Sequence, residues 1–320
     1  MEAKNKRIAF VVGVFPALSE TFIIDQIADL MDRDIEVEIF AFRKGNSANI
    51  SGRYFKYGMK DKTHYLQMPK NRFMRVFLAI PKIIRMLIVS PATLMRALDV
   101  KKYGSAARSL RYLFWSVPFV GQNFDLVHCH FATIADDFLA IRDIVGVPYK
   151  FITTFYGYDA SYVFKNYLDA YERLKKESLL FLVMSEDMEK RIIEHGFSPD
   201  KIRVLPVGIK PDRYLFKERT LGLGGKVQII SVGRFVEKKG FDDLLRALAI
   251  VKHKVDKTFQ CTIVGDGPLR NQIHHLAESL DINNIIEWRG FLPIEKIIDL
   301  FSRMHFFVQP SKTAMNGDME

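Results

Sequence analysis

The chain has 320 residues, of which 48% are apolar and 26% charged, and its formal net charge is +10. This length and apolar share are enough for two domains with hydrophobic cores, and they exclude a disordered chain. Two cysteines are too few for a disulfide framework, which favours a reducing compartment and predicts a cytoplasmic protein. The sequence has no run of 18 apolar residues, so no membrane-spanning helix is expected.

Short β-rich apolar runs alternate with longer helical patterns, which is typical of parallel sheets covered by helices on both faces. The predicted strands lie at 7–14, 35–41, 125–130, 149–155, 179–185 and 202–206, then at 226–233, 259–265, 284–290 and 305–310. The first helix is expected to begin near Ser19 as its N-cap, and later helices are predicted at 240–254, 268–280 and 294–302.

The stretch between the two series of strands is rich in glycine and proline. It predicts a linker at 213–225, which separates an N-terminal domain, 1–212, from a C-terminal domain, 226–320. The fold class is therefore α/β, with two doubly wound Rossmann-like domains. The second domain is expected to be incomplete, because no helix follows its last predicted strand.

Positive charge is concentrated in residues 66–120, which contain ten Lys or Arg and a single acid, Asp99. This segment therefore accounts for nine of the ten net charges, and it also contains many apolar side chains. Ordinary amphipathic helices are the simpler interpretation, and helices that lie on an anionic membrane are the alternative. Nucleic acid is not expected as a partner, because no recognisable binding module accompanies the charge.

A glycine-flanked basic loop, 233–240, follows the first predicted strand of the C-terminal domain. Ligands of open α/β sheets bind beyond the carboxyl ends of the strands. Gly233 would let a phosphate approach the backbone, and Arg234 and Lys239 could clamp a diphosphate. A solvated basic turn before a helix would have the same composition, so both interpretations stay open at this point.

A second glycine turn, Gly265-Asp266-Gly267-Pro268, follows the next predicted strand. Pro268 suits the first position of a helix. Arg270 stands where the dinucleotide-binding fingerprint requires its third glycine, which argues against a nicotinamide-dependent dehydrogenase. The turn either contacts a ligand or is only a tight structural turn.

Two histidines end the third predicted strand, in His128-Cys129-His130. Because side chains alternate along a strand, both imidazoles are expected on one side and Cys129 on the other. No further ligand at a suitable spacing accompanies them, so no metal site is predicted. We expect one ring to pack inside the fold and His130, nearer the carboxyl end, to face a cleft.

The segment Tyr156-Gly157-Tyr158-Asp159 follows the next strand. The Tyr156 hydroxyl and the Asp159 carboxylate could bind a polyol there, or Asp159 could cap the following helix. The sequence has no Gly-x-Ser-x-Gly, His-Glu-x-x-His or Walker motif, so hydrolase and P-loop functions lack support.

The ordered set of motifs resembles that of the family 4 glycosyltransferases, which have two Rossmann-like domains facing a cleft, the GT-B fold. The likeness extends along the whole chain and points to the bacterial branch that builds exopolysaccharide or lipopolysaccharide. The motifs that support it are Phe15-Pro16-Ala17-Leu18-Ser19-Glu20-Thr21-Phe22, Asp125-Leu126-Val127-His128-Cys129-His130-Phe131, Val183-Met184-Ser185-Glu186, Leu205-Pro206-Val207-Gly208-Ile209, Gly233-Arg234 with Lys239-Gly240, Gly265-Asp266-Gly267-Pro268, and 309–311 with 317–320.

The resemblance implies retaining transfer of a sugar from a nucleotide-diphosphate sugar to a glycan or lipid-linked acceptor in surface-polysaccharide biosynthesis. Arg234, Lys239 and Tyr156 would be catalytic, with the two cations neutralising the leaving diphosphate so that neither metal nor cofactor is needed. The implied donor-binding residues are Gly233, Arg234, Lys239, Gly265, Gly267, Phe291 and Glu320. The implied acceptor-binding residues are Ser19, Glu20, Thr21, His130, Tyr156 and Asp159.

Three positions depart from the family pattern. Tyr156 stands where many members have histidine, and Lys210 stands where an aspartate commonly follows Gly-Ile. Glu320 matches the first glutamate of the family's Glu-x7-Glu motif, and it is the last residue of the sequence. The comparison with the family therefore leads us to expect a C-terminally truncated enzyme.

Two other functions remain compatible with the sequence. The basic helices of 66–120 could belong to a peripheral membrane or partner-binding module whose second domain is vestigial. A sugar-nucleotide epimerase could have the same fold. In the glycosyltransferase interpretation, the protein is expected in the cytoplasm and, through 66–120, at the inner face of the cell membrane.

Overall fold

The computed structural model describes residues 6–167, 169–214, 216–221 and 225–319. The chain forms two compact units. Unit 1 comprises Met1–Ala17, Ile23–Asn46 and Arg53–Val207, and unit 2 comprises Leu18–Phe22, Ser47–Gly52 and Gly208–Glu320. Two short segments from the N-terminal half of the chain thus belong to unit 2, and one of them contains Ser19, Glu20 and Thr21.

In chain order, the strands and helices up to residue 207 are β1 Arg7–Phe15, α1 Thr21–Met31, β2 Glu36–Lys44, α2 Gly52–Lys56, β3 Thr63–Tyr65, α3 Arg72–Val89, α4 Pro91–Ala97, α5 Val100–Arg108, α6 Arg111–Ser116, β4 Leu126–His130, α7 Ala132–Val145, β5 Phe151–Thr154, α8 Phe164–Asn166, α9 Glu172–Glu177, β6 Phe181–Val183, α10 Glu186–Glu194 and β7 Ile202–Val204. A π-helical turn, Asp159–Val163, precedes α8, and short 3-10 turns lie at Val117–Phe119 and Pro199–Lys201.

The strands of unit 1 form one parallel sheet in the order β3-β2-β1-β4-β5-β6-β7. The middle of β1 is wholly buried from Ala9 to Val12, as expected for a strand covered on both faces. After β3 the chain crosses to the other side of β1 and continues with β4. The carboxyl ends of β1 and β4 therefore flank a topological switch point, where open α/β sheets bind ligands.

The six strands predicted for this half of the chain are confirmed, but the sequence pattern missed β3. This strand has only three residues, Thr-His-Tyr, which is too short for an apolar pattern to emerge. The predicted start of α1 was wrong, because Leu18 and Ser19 form a turn and the helix begins at Thr21. Ser19 is therefore not the N-cap.

Unit 2 contains, in chain order, β8 Val227–Val232, α11 Phe241–Lys254, β9 Phe259–Val264, α12 Arg270–Ser279, β10 Ile286–Trp288, α13 Ile294–Phe301 and β11 Phe306–Phe307, with 3-10 turns at Pro211–Arg213, Glu237–Lys239 and Asn283–Ile285. All four predicted strands are confirmed. The helix after β9 begins two residues later than predicted, at Arg270, because Pro268 and Leu269 form a turn closed by the Arg270 N–H donating to the Gly267 carbonyl at 3.1 Å.

The second sheet is also parallel, in the order β10-β9-β8-β11. It repeats the arrangement of unit 1, because the chain again crosses past its first strand before adding the next one. The switch point lies between β8 and β11. The loop after β8, which contains Arg234 and Lys239, therefore begins at this ligand-binding edge.

Aromatic side chains fill much of the core of unit 1. Phe40 of β2 stacks on Phe119 with 4.0 Å between ring centroids, and Phe155 packs edge-on against Phe181 and Phe197. In unit 2, Phe235 and Phe241 are both buried and pack edge to face. Of the helices described here, none is long and apolar enough to cross a membrane.

Candidate active site

The histidines of β4 lie at the switch point of unit 1. Their ring centroids are 4.2 Å apart, which confirms that both point to one side of the sheet. Phe10 of β1 pairs with His128 across the sheet and places its ring 5.2 Å from each imidazole. Both histidines are buried, so the expectation that His130 faces a cleft was wrong. The reason is Phe10, which stacks on the ring of His130 from the neighbouring strand.

Burial determines the charge of the two histidines. It lowers the pKa of His128 to about 3. The pKa of His130 also lies well below its ordinary value, because of burial and, to a smaller extent, because of His128 beside it. Both imidazoles are therefore neutral at physiological pH. His128 Nε2 and the hydroxyl of Thr154 share a hydrogen bond of 2.7 Å, which couples the carboxyl ends of β4 and β5.

Tyr156 contacts His130 directly. Its hydroxyl and His130 Nδ1 are 2.8 Å apart and share a hydrogen bond. The other ring nitrogen, Nε2, is buried and has no hydrogen-bond partner among the described residues. Tyr156 is partly exposed, so its hydroxyl links a buried neutral imidazole to the edge where an acceptor is predicted. Contact of either residue with an acceptor stays a prediction.

Asp159 is wholly buried. Its carboxylate accepts hydrogen bonds from the Thr133 N–H at 3.4 Å and from the Tyr156 N–H at 3.2 Å. Burial raises the pKa of Asp159 to about 6, against the opposing effect of hydrogen bonds from Ala132, Tyr156, Thr133 and Tyr171. Since Ala132 and Thr133 begin α7, the carboxylate satisfies N–H groups that the first turn of a helix leaves unpaired. The sequence left open whether Asp159 caps the helix that follows it. The structure shows a capping role, but at the start of the preceding helix α7. Contact with an acceptor stays a prediction.

Phe131 turns the chain from β4 into α7 and adopts a φ of 73°, which is unusual for any residue except glycine. Its ring lies 4.5 Å from that of Tyr156. Strained backbone of this kind concentrates at functional sites. Neither Phe131 nor Phe10 is among the predicted site residues. A left-handed backbone conformation and a cross-strand ring stack leave no pattern in a single sequence.

The segment 18–22 contains the other predicted acceptor residues. Ser19 is exposed, whereas Glu20 and Thr21 are half-buried. Glu20 Oε2 is buried without a hydrogen-bond partner among the described residues. Burial raises the pKa of Glu20 to about 7, and the positive charge of Arg234 opposes this rise. The glutamate is therefore electrostatically linked to a residue predicted to bind the donor.

The basic loop after β8 presents its two predicted cations differently. Arg234 is exposed, and the described residues provide no hydrogen bond or ion pair to its guanidinium. Lys239 is half-buried in the 3-10 turn before α11. Gly240 ends this turn with a φ of 64°, and a Cβ there would lie 1.8 Å from the Pro310 carbonyl oxygen. Only glycine allows the loop to lie so close to the segment after β11.

The turn after β9 packs directly on the basic loop. The Phe235 N–H donates to the Asp266 carbonyl at 2.9 Å, and the Leu269 N–H donates to the Phe235 carbonyl at 3.1 Å. A Cβ at Gly267 would lie 2.6 Å from the Phe235 carbonyl oxygen. The close packing of the two loops therefore requires glycine at position 267. Donor contact by Gly233, Gly265 or Gly267 stays a prediction.

Two further donor-binding predictions concern the rest of the edge. Phe291 follows β10 and is partly exposed. Gly290, just before it, accepts a hydrogen bond of 2.8 Å from the Gly265 N–H, so the loops after β9 and β10 are joined. Glu320 lies outside the described residues. In the part of the chain that the structure describes, no cluster of three His, Cys, Asp or Glu side chains is arranged to hold a metal ion.

Comparison with known proteins identifies relatives over almost the whole chain. The sequence model of Glycosyltransferase Family 4 matches residues 19–213, and that of Glycosyl transferases group 1 matches 215–317. The amylovoran biosynthesis glycosyltransferase AmsK of Erwinia amylovora is 30% identical over 98% of this chain and 77% of its own length.

Solved structures show the same fold at low sequence identity. Anabaena HepE, solved with UDP and glucose, aligns with a TM-score of 0.60 at 13% identity over 97% of this chain and 75% of its own. Staphylococcus aureus TarM aligns with a TM-score of 0.64 at 12% identity, over 96% and 81% of the two chains. The matches to the family model and to AmsK establish that this chain, with its two parallel α/β sheets, is a GT-B glycosyltransferase and belongs to glycosyltransferase family 4.

Proposed function

We propose that the enzyme transfers a sugar, with retention of configuration, from a nucleotide-diphosphate sugar to a glycan or lipid-linked acceptor of bacterial exopolysaccharide. Two comparisons support this proposal. AmsK is named for amylovoran biosynthesis, and HepE has been solved with UDP-glucose as well as with UDP and glucose. The donor would bind to the C-terminal half of the chain, which lies in unit 2. The acceptor would bind to residues of the N-terminal half, which lie in unit 1 except for the segment Leu18–Phe22.

The position of the basic loop is the observation that carries the proposal. Arg234 and Lys239 follow β8 at the switch point of the second sheet, and backbone hydrogen bonds join this loop to the glycine turn after β9. The guanidinium of Arg234 is exposed at this edge. Charge that develops on a departing nucleoside diphosphate would be stabilised by the two cations. On this chemistry neither a metal nor a cofactor is required.

The acceptor side of the proposal rests on Tyr156. Its hydroxyl is held by the neutral imidazole of His130, and it stands where many family members have a histidine. A neutral Tyr–His pair can orient an acceptor hydroxyl without bringing a cation to the reacting sugar. In a retaining reaction of this family, the leaving phosphate would take the proton of the acceptor hydroxyl on the same face of the sugar.

The proposal places the reaction on the cytoplasmic side of the cell membrane, with residues 66–120 against the lipid surface. Cys129 and Cys261 are both free and buried, as in proteins from a reducing compartment. Lipid-linked acceptors would be presented at that surface.

Donor binding by an Arg234→Ala variant tests the proposal. We expect affinity for UDP-glucose and GDP-mannose, measured by titration calorimetry, to fall on the order of tenfold or more for whichever donor binds, because a charge-assisted hydrogen bond to phosphate is lost. Excess EDTA should leave the wild-type affinity unchanged. The thermal midpoint should change little, because the guanidinium is exposed.

Arg246→Ala is the matched control, since Arg246 is also an exposed arginine of unit 2 but forms ion pairs with Asp242 and Asp243 on α11. It should keep the wild-type affinity. Equal affinity in all three proteins, or an equal loss in both variants, would contradict the proposed role of Arg234.

A further inference from the structure

Helix α3 has an apolar face that the rest of unit 1 does not cover. Of its 18 residues only Ala79 and Met86 are buried, and these two pack in a cluster with α4 and α6. Seven apolar side chains on the opposite side are each between 50% and 88% exposed: Phe73, Val76, Phe77, Ile80, Ile84, Leu87 and Ile88. We call these seven residues the α3 stripe.

The α3 stripe is continuous around the helix. At about 100° per residue, its seven side chains fall within an arc of about 120°, and no polar side chain interrupts this arc. The helix is about 27 Å long, so the stripe forms one elongated apolar surface. Single exposed apolar residues are common on proteins, but a contiguous surface of this kind marks an interaction site.

The charges around the stripe all have the same sign. Residues 62–98 contain seven Lys or Arg and no Asp or Glu. Arg72 and Arg85 are exposed and flank the stripe, one on each side. Lys82 is half-buried with its ammonium 5.4 Å from the Phe114 ring centre, and Arg96 donates to the Ile144 carbonyl at 2.8 Å. Arg72 and Arg85 are therefore the cations best placed to meet an anionic partner.

We propose that α3 lies in the surface of an anionic bilayer, with the α3 stripe among the lipid acyl chains and Arg72 and Arg85 against lipid phosphates. This inference rests on the proposed function, because it names the surface on which a lipid-linked acceptor would be presented. The combination of an apolar face and flanking cations is that of interfacial helices, which insert about 5–10 Å into the lipid.

The charge pattern favours lipid over other occupants. A second copy of the chain would bring two cationic borders together with no acid in either to offset them. A nucleic acid would satisfy the cations but would leave the apolar stripe in water. The helix does not span the bilayer, since its Ala79 and Met86 side is packed on unit 1.

Vesicle flotation with the full chain tests the inference. We expect binding to vesicles of phosphatidylethanolamine and phosphatidylglycerol, and much weaker binding to pure phosphatidylcholine. Phe73→Glu with Phe77→Glu should weaken binding on the order of tenfold or more, because two aromatic side chains no longer enter the lipid. Phe55→Glu with Phe216→Glu is the control, since both phenylalanines are exposed outside the stripe, and it should bind as the wild type does.

A charge experiment tests the cations separately. Arg72→Glu with Arg85→Glu should weaken binding by at least about fivefold for each position, since one cation near an anionic surface contributes a factor of about five. Arg270→Glu with Arg303→Glu makes the same change at exposed arginines of unit 2 and should have little effect. Circular dichroism melts would confirm that all four variants are folded.

A fluorescence experiment tests the inference with a variant that is expected to keep its vesicle binding. Tryptophan in an Ile84→Trp variant should shift its emission to the blue on anionic vesicles and be quenched by brominated lipids. Three outcomes would overturn the inference: no binding of the wild type, binding that the stripe variants retain, or a wild-type dimer in solution that these variants abolish. Donor titration without vesicles is independent of these results, so a failure of the proposed function would be recognised separately.

Discussion

Glu20 has a buried carboxylate oxygen to which the described part of the chain offers no hydrogen bond. A buried carboxyl without partners favours its neutral form, and this is why its pKa is raised despite the positive charge of Arg234. The residue therefore titrates near neutral pH beside the cation that we propose to bind the donor. Its protonation and donor binding should be thermodynamically linked.

The pH dependence of stability provides the first residue-scale prediction. The pKa of Glu20 is about 7 in the folded protein and near 4.5 when unfolded, so the folded state holds more protons between these values. This group's contribution to the free energy of unfolding is therefore fully present below about pH 4.5 and is lost as pH rises to about 7. Glu20→Gln should remove that decline, as urea titrations at several pH values would show.

Donor affinity gives an independent measurement of the same residue. In the wild type, ionisation of Glu20 adds negative charge close to the donor diphosphate, so affinity should fall between about pH 6 and 8. The glutamine variant should lose less affinity over this range. Identical pH profiles for the two proteins, in stability and in affinity, would show that Glu20 does not titrate there.

At the scale of elements, Asp159 connects the helical turn that contains it to the first turn of α7. Its buried carboxylate accepts hydrogen bonds from the N–H of Tyr156, just before that turn, and from the N–H groups of Ala132 and Thr133 in α7. Helix α7 directly follows the strand that ends in His130. The position of the Tyr156 hydroxyl therefore depends on the same carboxylate, because the Tyr156 N–H is one of its donors.

Replacing Asp159 by alanine should destabilise the protein by about 3 kcal/mol, because several buried N–H groups lose their acceptor. Asp187→Ala, which removes an exposed aspartate paired with Arg191 on α10, should cost about 0.5 kcal/mol or less. Equilibrium unfolding in urea would measure both. A small effect at Asp159 would mean that water or other groups replace the carboxylate.

At the scale of the whole molecule, charge and apolar surface are concentrated in the same part of the chain. Nine of the ten net positive charges fall in residues 66–120, which include the α3 stripe. The family assignment also resolves the alternatives left open by the sequence, since neither an epimerase nor a non-enzymatic module fits a member of glycosyltransferase family 4.

The salt dependence of vesicle binding separates the electrostatic contribution of the cations from the hydrophobic contribution of the α3 stripe. Raising the salt concentration from about 0.05 M to 0.5 M should weaken binding to anionic vesicles strongly, because exposed charges are screened. A residual affinity should remain in the wild type and disappear in the Phe73→Glu, Phe77→Glu variant. Flotation at both salt concentrations would measure this, and loss of all wild-type binding in high salt would show that the stripe does not enter the lipid.

Much of the fold could be predicted from the sequence because β-branched apolar runs such as β1 are buried on both faces. Strand β3 could not, since three residues carry no period. The burial of His130 depends on Phe10, which is distant in sequence, and the orphaned oxygen of Glu20 depends on how its segment packs. The periodicity of α3 predicts an apolar face, but its coverage is decided by the helices packed on its other side.

The two sheets share one feature that reaches beyond any single residue. In each sheet, the chain adds two strands on one side of the first strand and then places the fourth on the other side. Each half of the protein therefore has its own ligand-binding edge. In the function that we propose, one edge binds the donor and the other contributes to the acceptor site, so mutations at the donor edge would change the sugar without changing the acceptor. A lineage of such enzymes could therefore diversify its products one half at a time.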